Sequence, residues 1–383
     1  MKIFHHRNSR RGIALIIVMI AIIVLGILAA AFAYSMKVET HLAVATDNNQ
    51  RLVWLGRSGV ELARWVLVQE ASIPNEPYDS LNQYWAGGPG SVGESNSVLS
   101  GISLTDYPVG DGTVSLKITD LERYANINTA GAQELDQAMT LIGVDADDLS
   151  VVSDSILDWV QPGDSPRIAG AKNDFYQALN PPYNCKEAPM DDLSELLLVR
   201  GILDHPEIYW GGSASNHPPS VFQQKLGVGT TPGQPADYPF GLKDLFTPFS
   251  TGRININTAD ANVLQLIPGV DANIAASILQ LRAGPDSADG TEDDEPFQSV
   301  NQLVTAGIDP QVVSQLGRFC TVRSSTFKVT VTAKLNGFSR DFEAILVRSG
   351  RNVQVCSFYW TTETTPASPA QNPDNVDTTA ATQ

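Results

Sequence analysis

Arg10-Arg11-Gly12-Ile13-Ala14-Leu15-Ile16-Ile17-Val18-Met19-Ile20-Ala21-Ile22-Ile23-Val24-Leu25-Gly26-Ile27-Leu28 is the stretch on which the fold turns. No charged residue occurs from Gly12 to Met36. As a helix such a run crosses the roughly 30 Å of hydrocarbon in a bilayer. The basic cluster before it (Lys2, Arg7, Arg10, Arg11) predicts a cytoplasmic start, with everything after Met36 outside the cytoplasm. Ala31-Phe32-Ala33 could serve as a signal-peptide cleavage site, but a signal peptide has a shorter apolar region than this. An ordinary signal anchor is the plain alternative. The helix does not stop at the membrane, because no proline occurs from Lys37 to Glu70. Leu42, Leu52, Leu55, Leu62, Trp65 and Val66 recur there at roughly helical spacing. Residues 13–70 as one helix would run about 87 Å.

This beginning resembles the N-terminus of type IV pilin-like subunits: a short basic leader ending in Gly, set directly against an apolar helix. The resemblance implies that residues 1–12 are a leader cut off after Gly12 by a prepilin peptidase. Ile13 then becomes the N-methylated first residue. The assembly helix would use Ile13, Leu15, Ile17, Ile20 and Ile23. Most such subunits carry Glu as the fifth residue after the cut, where it meets a neighbour's terminal amine. Here that residue is Ile17. A carboxylate in hydrocarbon is costly unless paired, so a subunit with no neighbour above it has no use for one. The departure points to a tip position.

The whole chain bounds the rest. Its 383 residues are 43% hydrophobic and carry 42 acidic against 25 basic side chains, a formal charge of −17. That length predicts two or three domains, and the apolar content is ample for packed cores. Without the four leader cations, 21 basic residues face 42 acidic ones, or −21. Such a balance argues against a general nucleic-acid binder, which displaces counterions with cations. Three cysteines (Cys185, Cys320, Cys356) are too few for a disulfide scaffold. A single Cys320–Cys356 bridge is left open.

Strand signals come in two places. Val114–Asp120 alternates. Phe327–Leu335, Phe338–Arg348 and Val353–Trp360 alternate again, with Asn336-Gly337 as a hairpin turn. Residues 71–111 read as loops, and about two hundred residues of helix and loop separate the first strand from the others. The fold class expected is α+β: a long N-terminal transmembrane pilin-like helix, then a pilin-type α/β sheet domain with an inserted all-α domain. The divisions are a leader at 1–12, a span at 13–36, the rest of the helix and the start of the α/β domain at 37–120. An insert follows at 121–320, then returning strands at 321–360 and a low-complexity polar tail at 361–383.

The insert repeats itself at about 121–210 and 250–320. Ala125-Asn126-Ile127-Asn128-Thr129-Ala130 is echoed by Ile254-Asn255-Ile256-Asn257-Thr258-Ala259. Each is followed by a helix, by Gly-Val-Asp-Ala (143–146 and 269–272) and by a second helix. Leu193–Ile202 then matches Val300–Ile308. Thr129 and Thr258 are expected as helix N-caps. The unit resembles the helix-hairpin-helix, whose hairpin amides usually grip a DNA phosphate. Here Asp145 and Asp271 stand where DNA-binding versions have a second glycine, and Asp147 and Asp148 add charge. Carboxylates there repel phosphate. The expectation is therefore packing modules and no nucleic acid.

Gly284–Glu295 gathers Asp286, Asp289, Glu292, Asp293, Asp294 and Glu295 around a glycine, with no base nearby in the sequence. Calcium takes six to eight oxygen ligands from such loops. Asp286, Asp289, Asp293, Asp294 and Glu295 are the expected ligands, although the spacing is not that of an EF-hand. No catalytic motif emerges. Asp158 and Asp164, expected to flank Trp159 and Pro162 in a loop, lack a partner base, so no enzyme is expected.

In this order, these features resemble the type II secretion minor pseudopilin K (general secretion pathway protein K) family. Leu157-Asp158-Trp159, Pro181-Pro182-Tyr183 and Leu196-Leu197-Leu198-Val199-Arg200-Gly201 add to the match. The resemblance implies a single-pass protein of a Gram-negative inner membrane with its head in the periplasm. It would sit at the tip of a short pseudopilus, prime fibre assembly and support export across the outer membrane. The partners implied are two other minor pseudopilins, the major pseudopilin, the inner-membrane assembly platform and prepilin peptidase. Calcium in the head is implied as well. A type IV pilus tip subunit is the alternative, ahead of a membrane-anchored DNA receptor.

Overall fold

The computed structural model describes residues 11–74, 76–90, 98–212 and 238–361. Residues 1–10, within the expected leader, and the polar tail after Thr361 lie outside them. Helix α1 (Arg11–Glu70) is continuous through the membrane-length stretch and on into the head. Two glycines let it approach the sheet closely. A Cβ on Gly56 would lie 2.5 Å from the Phe342 ring, and one on Gly59 would lie 2.5 Å from a Val331 methyl. Leu52, Leu55, Val60, Ala63, Val66 and Leu67 bury the same face. Leu42, expected on that stripe, is exposed because the sheet has not yet begun alongside it.

The sheet has five strands: β1 (Tyr107–Val109), β2 (Gly112–Asp120), β7 (Thr326–Leu335), β8 (Phe338–Ser349) and β9 (Asn352–Trp360). They are antiparallel in the order β1-β2-β7-β8-β9. β1 falls in the segment read as loop; at three residues it is too short to alternate legibly. Asn336 and Gly337 both have positive φ, as a tight hairpin turn requires. Val114, Leu116, Val329, Val331, Phe342 and Leu346 meet α1 in one core, which Trp85 completes from the loop side.

The chain leaves this sheet at Asp120 and returns beside it, since Asp120 pairs with Phe327. The residues between have their own core. Its helices are α2 (Ala132–Ile142), α3 (Ala146–Val160), α4 (Asn173–Gln177), α5 (Glu207–Trp210), α6 (Leu242–Leu245), α7 (Ala261–Leu264), α8 (Ala272–Arg282) and α9 (Pro310–Leu316). The insert is not wholly helical, contrary to expectation. Each copy opens on two strand residues that pair in parallel with two farther along the chain: β3 (Ala125–Asn126) with β4 (Phe246–Thr247), just before the second copy, and β5 (Ile254–Asn255) with β6 (Cys320–Thr321), at its end. Two-residue strands leave no alternation to read. Cys320 is thus buried in the insert and Cys356 exposed on β9; both are free thiols, not a bridge.

Candidate functional site

Three places carry chemistry or contact: the bare half of α1, the joint between the two cores, and the acidic loop. Along α1, Leu15, Ile17, Ile20 and Ile23 are all more than half exposed, with no intramolecular cover. Gly12 and Ile13 lie in its first turns.

The asparagines of the repeat do equivalent work in both copies. Asn126 Oδ1 accepts from the Asn128 amide at 2.8 Å, and Asn255 Oδ1 from the Asn257 amide at 3.0 Å. Each second asparagine then clips a distant strand of chain. Asn128 accepts from the Met190 amide at 2.6 Å and donates to its carbonyl at 3.1 Å. Asn257 does the same with Phe297, at 2.8 and 2.9 Å. Both clips sit three residues before the matching 3₁₀ turns, Leu193–Leu198 and Val300–Ala306.

The threonines are not caps. Gly131 and Asp260 occupy the N-cap positions of α2 and α7. The asparagine turn has already taken the threonines' place in the geometry, leaving Thr129 Oγ1 to donate weakly to the Asn126 carbonyl at 3.4 Å. Thr258 Oγ1 instead donates to Asp120 Oδ2 at 2.6 Å. The hairpin aspartates are N-caps of the second helices. Asp271 accepts from the Ile274 amide at 2.9 Å, and Asp145 holds the same position on α3.

Asp120 belongs to a buried polar joint between sheet and insert. Its Oδ2 also accepts from Ser324 Oγ at 2.6 Å and Asn255 Nδ2 at 3.1 Å. Asn255 donates further to the Asp79 carbonyl and to Ser324 Oγ. Asp79 pairs with Arg348, both 2% exposed in their side chains. Glu122 accepts from the amides of Thr326, Ser325 and Thr251, at 2.9, 3.2 and 3.4 Å. Burial raises Asp120 above the usual carboxylate range, and the nearby Asp79 adds to it. Burial, with Asp120 as a second cause, pushes Glu122 up to about 7. Nothing in the repeat pattern signals this joint, since its residues come from five separated segments.

The acidic loop does have a base. Arg282, 3% exposed, donates from Nε and Nη2 to the two Asp289 oxygens at 2.9 and 2.6 Å, and from Nη1 to the Ile256 and Ala259 carbonyls. It ties the loop to the second asparagine turn. Asp293 and Asp294 accept from Thr291, and Asp294 also from the Gly290 amide at 2.8 Å. The Thr291 hydroxyl, as the largest cause, holds Asp293 below its ordinary range, whereas burial raises Asp294. The carboxylates suit calcium chemically, but among the described residues no three His, Cys, Asp or Glu side chains come together to hold a metal. As arranged, the loop is closed by its own bonds and does not form a ligand cage.

Asp158 is not in a loop but in the last turn of α3, buried, with its Oδ2 accepting from the Arg167 amide at 2.9 Å. Burial raises its pKa. Lys172, also buried, donates to the Asp158 and Gln161 carbonyls at 2.7 and 2.6 Å, satisfying the end of the helix. These are structural roles.

A long helix, apolar and uncovered in its first half, that precedes an antiparallel sheet is a pilin-like arrangement, here with a large, mostly helical insert. Residues 115–208 match the family model for protein K of the type II secretion system. Type II secretion system protein K of Klebsiella pneumoniae is 26% identical over 210 residues, covering 51% of this chain and 59% of the relative. That of Pectobacterium carotovorum subsp. carotovorum is 24% identical over 218 residues, covering 51% and 60%. The chain thus spans about three-fifths of the length of the curated relatives it matches. The crystal structure of the GspK-GspI-GspJ complex from the enterotoxigenic Escherichia coli type 2 secretion system shares the fold. Its TM-score is 0.56 at 20% identity, over 83% of this chain and 98% of that one. The resemblance read in the sequence is borne out: the chain is similar to type II secretion system protein K.

Proposed function

We propose that this chain is a minor pseudopilin of a type II secretion system, held in the inner membrane by residues 13–36 with its head in the periplasm. The observation that carries this is α1: one unbroken helix, apolar and uncovered in its first half, packed into the head's core in its second. An apolar surface exposed all round suits lipid before assembly and neighbouring helices after it. The partners are two other minor pseudopilins, in keeping with the solved relative, which is a complex with GspI and GspJ. The major pseudopilin, the assembly platform and prepilin peptidase complete the set. With Ile17 in place of a carboxylate and an insert that makes the head bulky, the chain takes the tip and primes the fibre. Its work is assembly rather than catalysis.

The test is Gly12→Ala in cells lacking the wild-type chain. Leader removal and export should both fall by orders of magnitude; normal processing or normal export sinks the reading. Decoration of sheared fibres with an antibody to the insert should mark one end, and label along the whole length would refute the tip position.

For the acidic loop we propose the calcium that the resemblance implies. Asp286, Asp293 and Asp294 would exchange their turn bonds for the ion and Glu295 would join them, while Asp289 stays on Arg282. Calorimetric titration of the full chain in detergent should give heat that Asp293→Asn with Asp294→Asn removes. No heat, and no change in melting temperature with EGTA, discards the site.

A further inference from the structure

The sheet ends on β9, and among the described residues no strand pairs with its outer edge. It runs nine residues, Asn352–Trp360, with neither a charge nor a proline in it. Natural sheets protect long edges with lysines, prolines, bulges or short strands; β9 has a single bulge at Cys356 and neither lysine nor proline. Its helix-facing side is also unfinished. Val355, Phe358 and Trp360 stand opposite Leu346, Ala344 and Phe342, the residues that α1 covers. At β9 the cover runs out, leaving Val355 38% and Trp360 58% exposed. Beside them α1 presents Trp54, which is 64% exposed. The side-chain pattern of the core therefore continues for one more strand than the chain supplies.

Two arginines border this strip. Arg57 lies over both Trp54 and Phe358, with its guanidinium carbon 5.1 and 5.8 Å from the ring centroids. Arg340 lies over Trp360 at 5.0 Å, and its Nη1 is buried without a hydrogen-bond partner among the described residues. Among the described residues neither forms an ion pair, although the chain has an excess of acids. Glu61, the acid nearest along α1, is taken by Arg64.

We infer that β9 receives one extended segment of a different polypeptide, which adds a strand to the sheet. Its alternate side chains are apolar and lie on Val355, Phe358 and Trp360, and a carboxylate on it meets Arg57 and Arg340. Main-chain bonds to the free edge give affinity, while the apolar strip and the arginines select the segment. A second copy fits poorly: a two-fold pairing of β9 on β9 brings the same arginines together. The chain's own tail has Pro366, Pro369 and Pro373, which cannot donate to a ladder. This inference is independent of the machine the chain serves, so its failure would leave the pseudopilin reading standing.

The experiment places a photo-crosslinking amino acid at Val355 of the full chain in its own cells and maps the adduct by mass spectrometry. The expected adduct lies in an extended, carboxylate-bearing segment of another chain. Reversing that carboxylate to Lys should lower the yield about tenfold or more, and Arg57→Glu with Arg340→Glu should restore it. Amide exchange over 352–360 should slow in the complex relative to the free full chain. No adduct, an adduct with a second copy or with residues 361–383, a yield indifferent to charge reversal, or unchanged exchange each overturns the proposal.

Discussion

The two copies of the helical repeat share six nearly identical residues at their start and differ in what those residues face. In the first copy, Asn126 Nδ2 donates to the Ser250 carbonyl and Thr129 makes only a weak local bond. In the second, Asn255 and Thr258 reach Asp120 and through it the sheet. The second asparagine of each motif is used identically, as a clip on a strand of chain three residues before a 3₁₀ turn. The motif itself thus builds the module, and its first asparagine and its threonine are free to be recruited by whatever lies alongside. Copy two is the mount of the insert, whereas copy one is borne by it.

That division can be broken most forcefully at the first asparagine. Asn255→Ala removes donors from the Asp79 carbonyl, Asp120 and Ser324 inside a buried joint, and should cost about 3 kcal/mol. Asn126→Ala should cost about 1 kcal/mol. Urea unfolding of both variants measures the contrast, and equal losses would mean that the joint adds nothing.

An intermediate effect concerns pH. Asp120 and Glu122 are raised in the folded chain above their unfolded values. Their contribution to stability is therefore complete below the ordinary carboxylate range and is lost as pH rises through it toward neutrality. The melting temperature should be about 2–4 °C higher near pH 5 than near pH 8. Glu122→Gln should flatten that slope; a slope of the opposite sign would show that the joint is held ionised.

The smallest contrast is Thr258→Val against Thr129→Val. The first leaves Asp120 short of a buried donor and should cost about 1 kcal/mol, the second less than about 0.5 kcal/mol. Thermal melts of the pair, scanned together, resolve the difference.

Much of this molecule was legible because its signals are long. An apolar run without proline, strands of nine residues or more, and two repeats with matching offsets each over-determine their reading. What escaped was short or assembled from afar. β1 and the two-residue ladders have no period to detect. Arg282 sits before the acidic loop but on the preceding helix, so only folding turns it onto Asp289. The joint draws Asp79, Asp120, Glu122, Asn255, Thr258, Ser324 and Arg348 from across the chain, and no spacing announces it. The threonines carry the residue type of a cap but stand two residues before the N-cap positions, in a turn shaped by the asparagine three residues earlier.

The place where the insert leaves and rejoins the sheet has a mechanical consequence. Asp120 and Phe327 are cross-strand neighbours, so the whole insert hangs from two adjacent points on β2 and β7. Tension along α1 is borne by the interface of helix and sheet and passes straight into the central strands. The insert is off that load path. It is carried like freight on a hook, steadied by Asp79, Arg348 and Asp120, and its own core is never stretched when the helix is pulled.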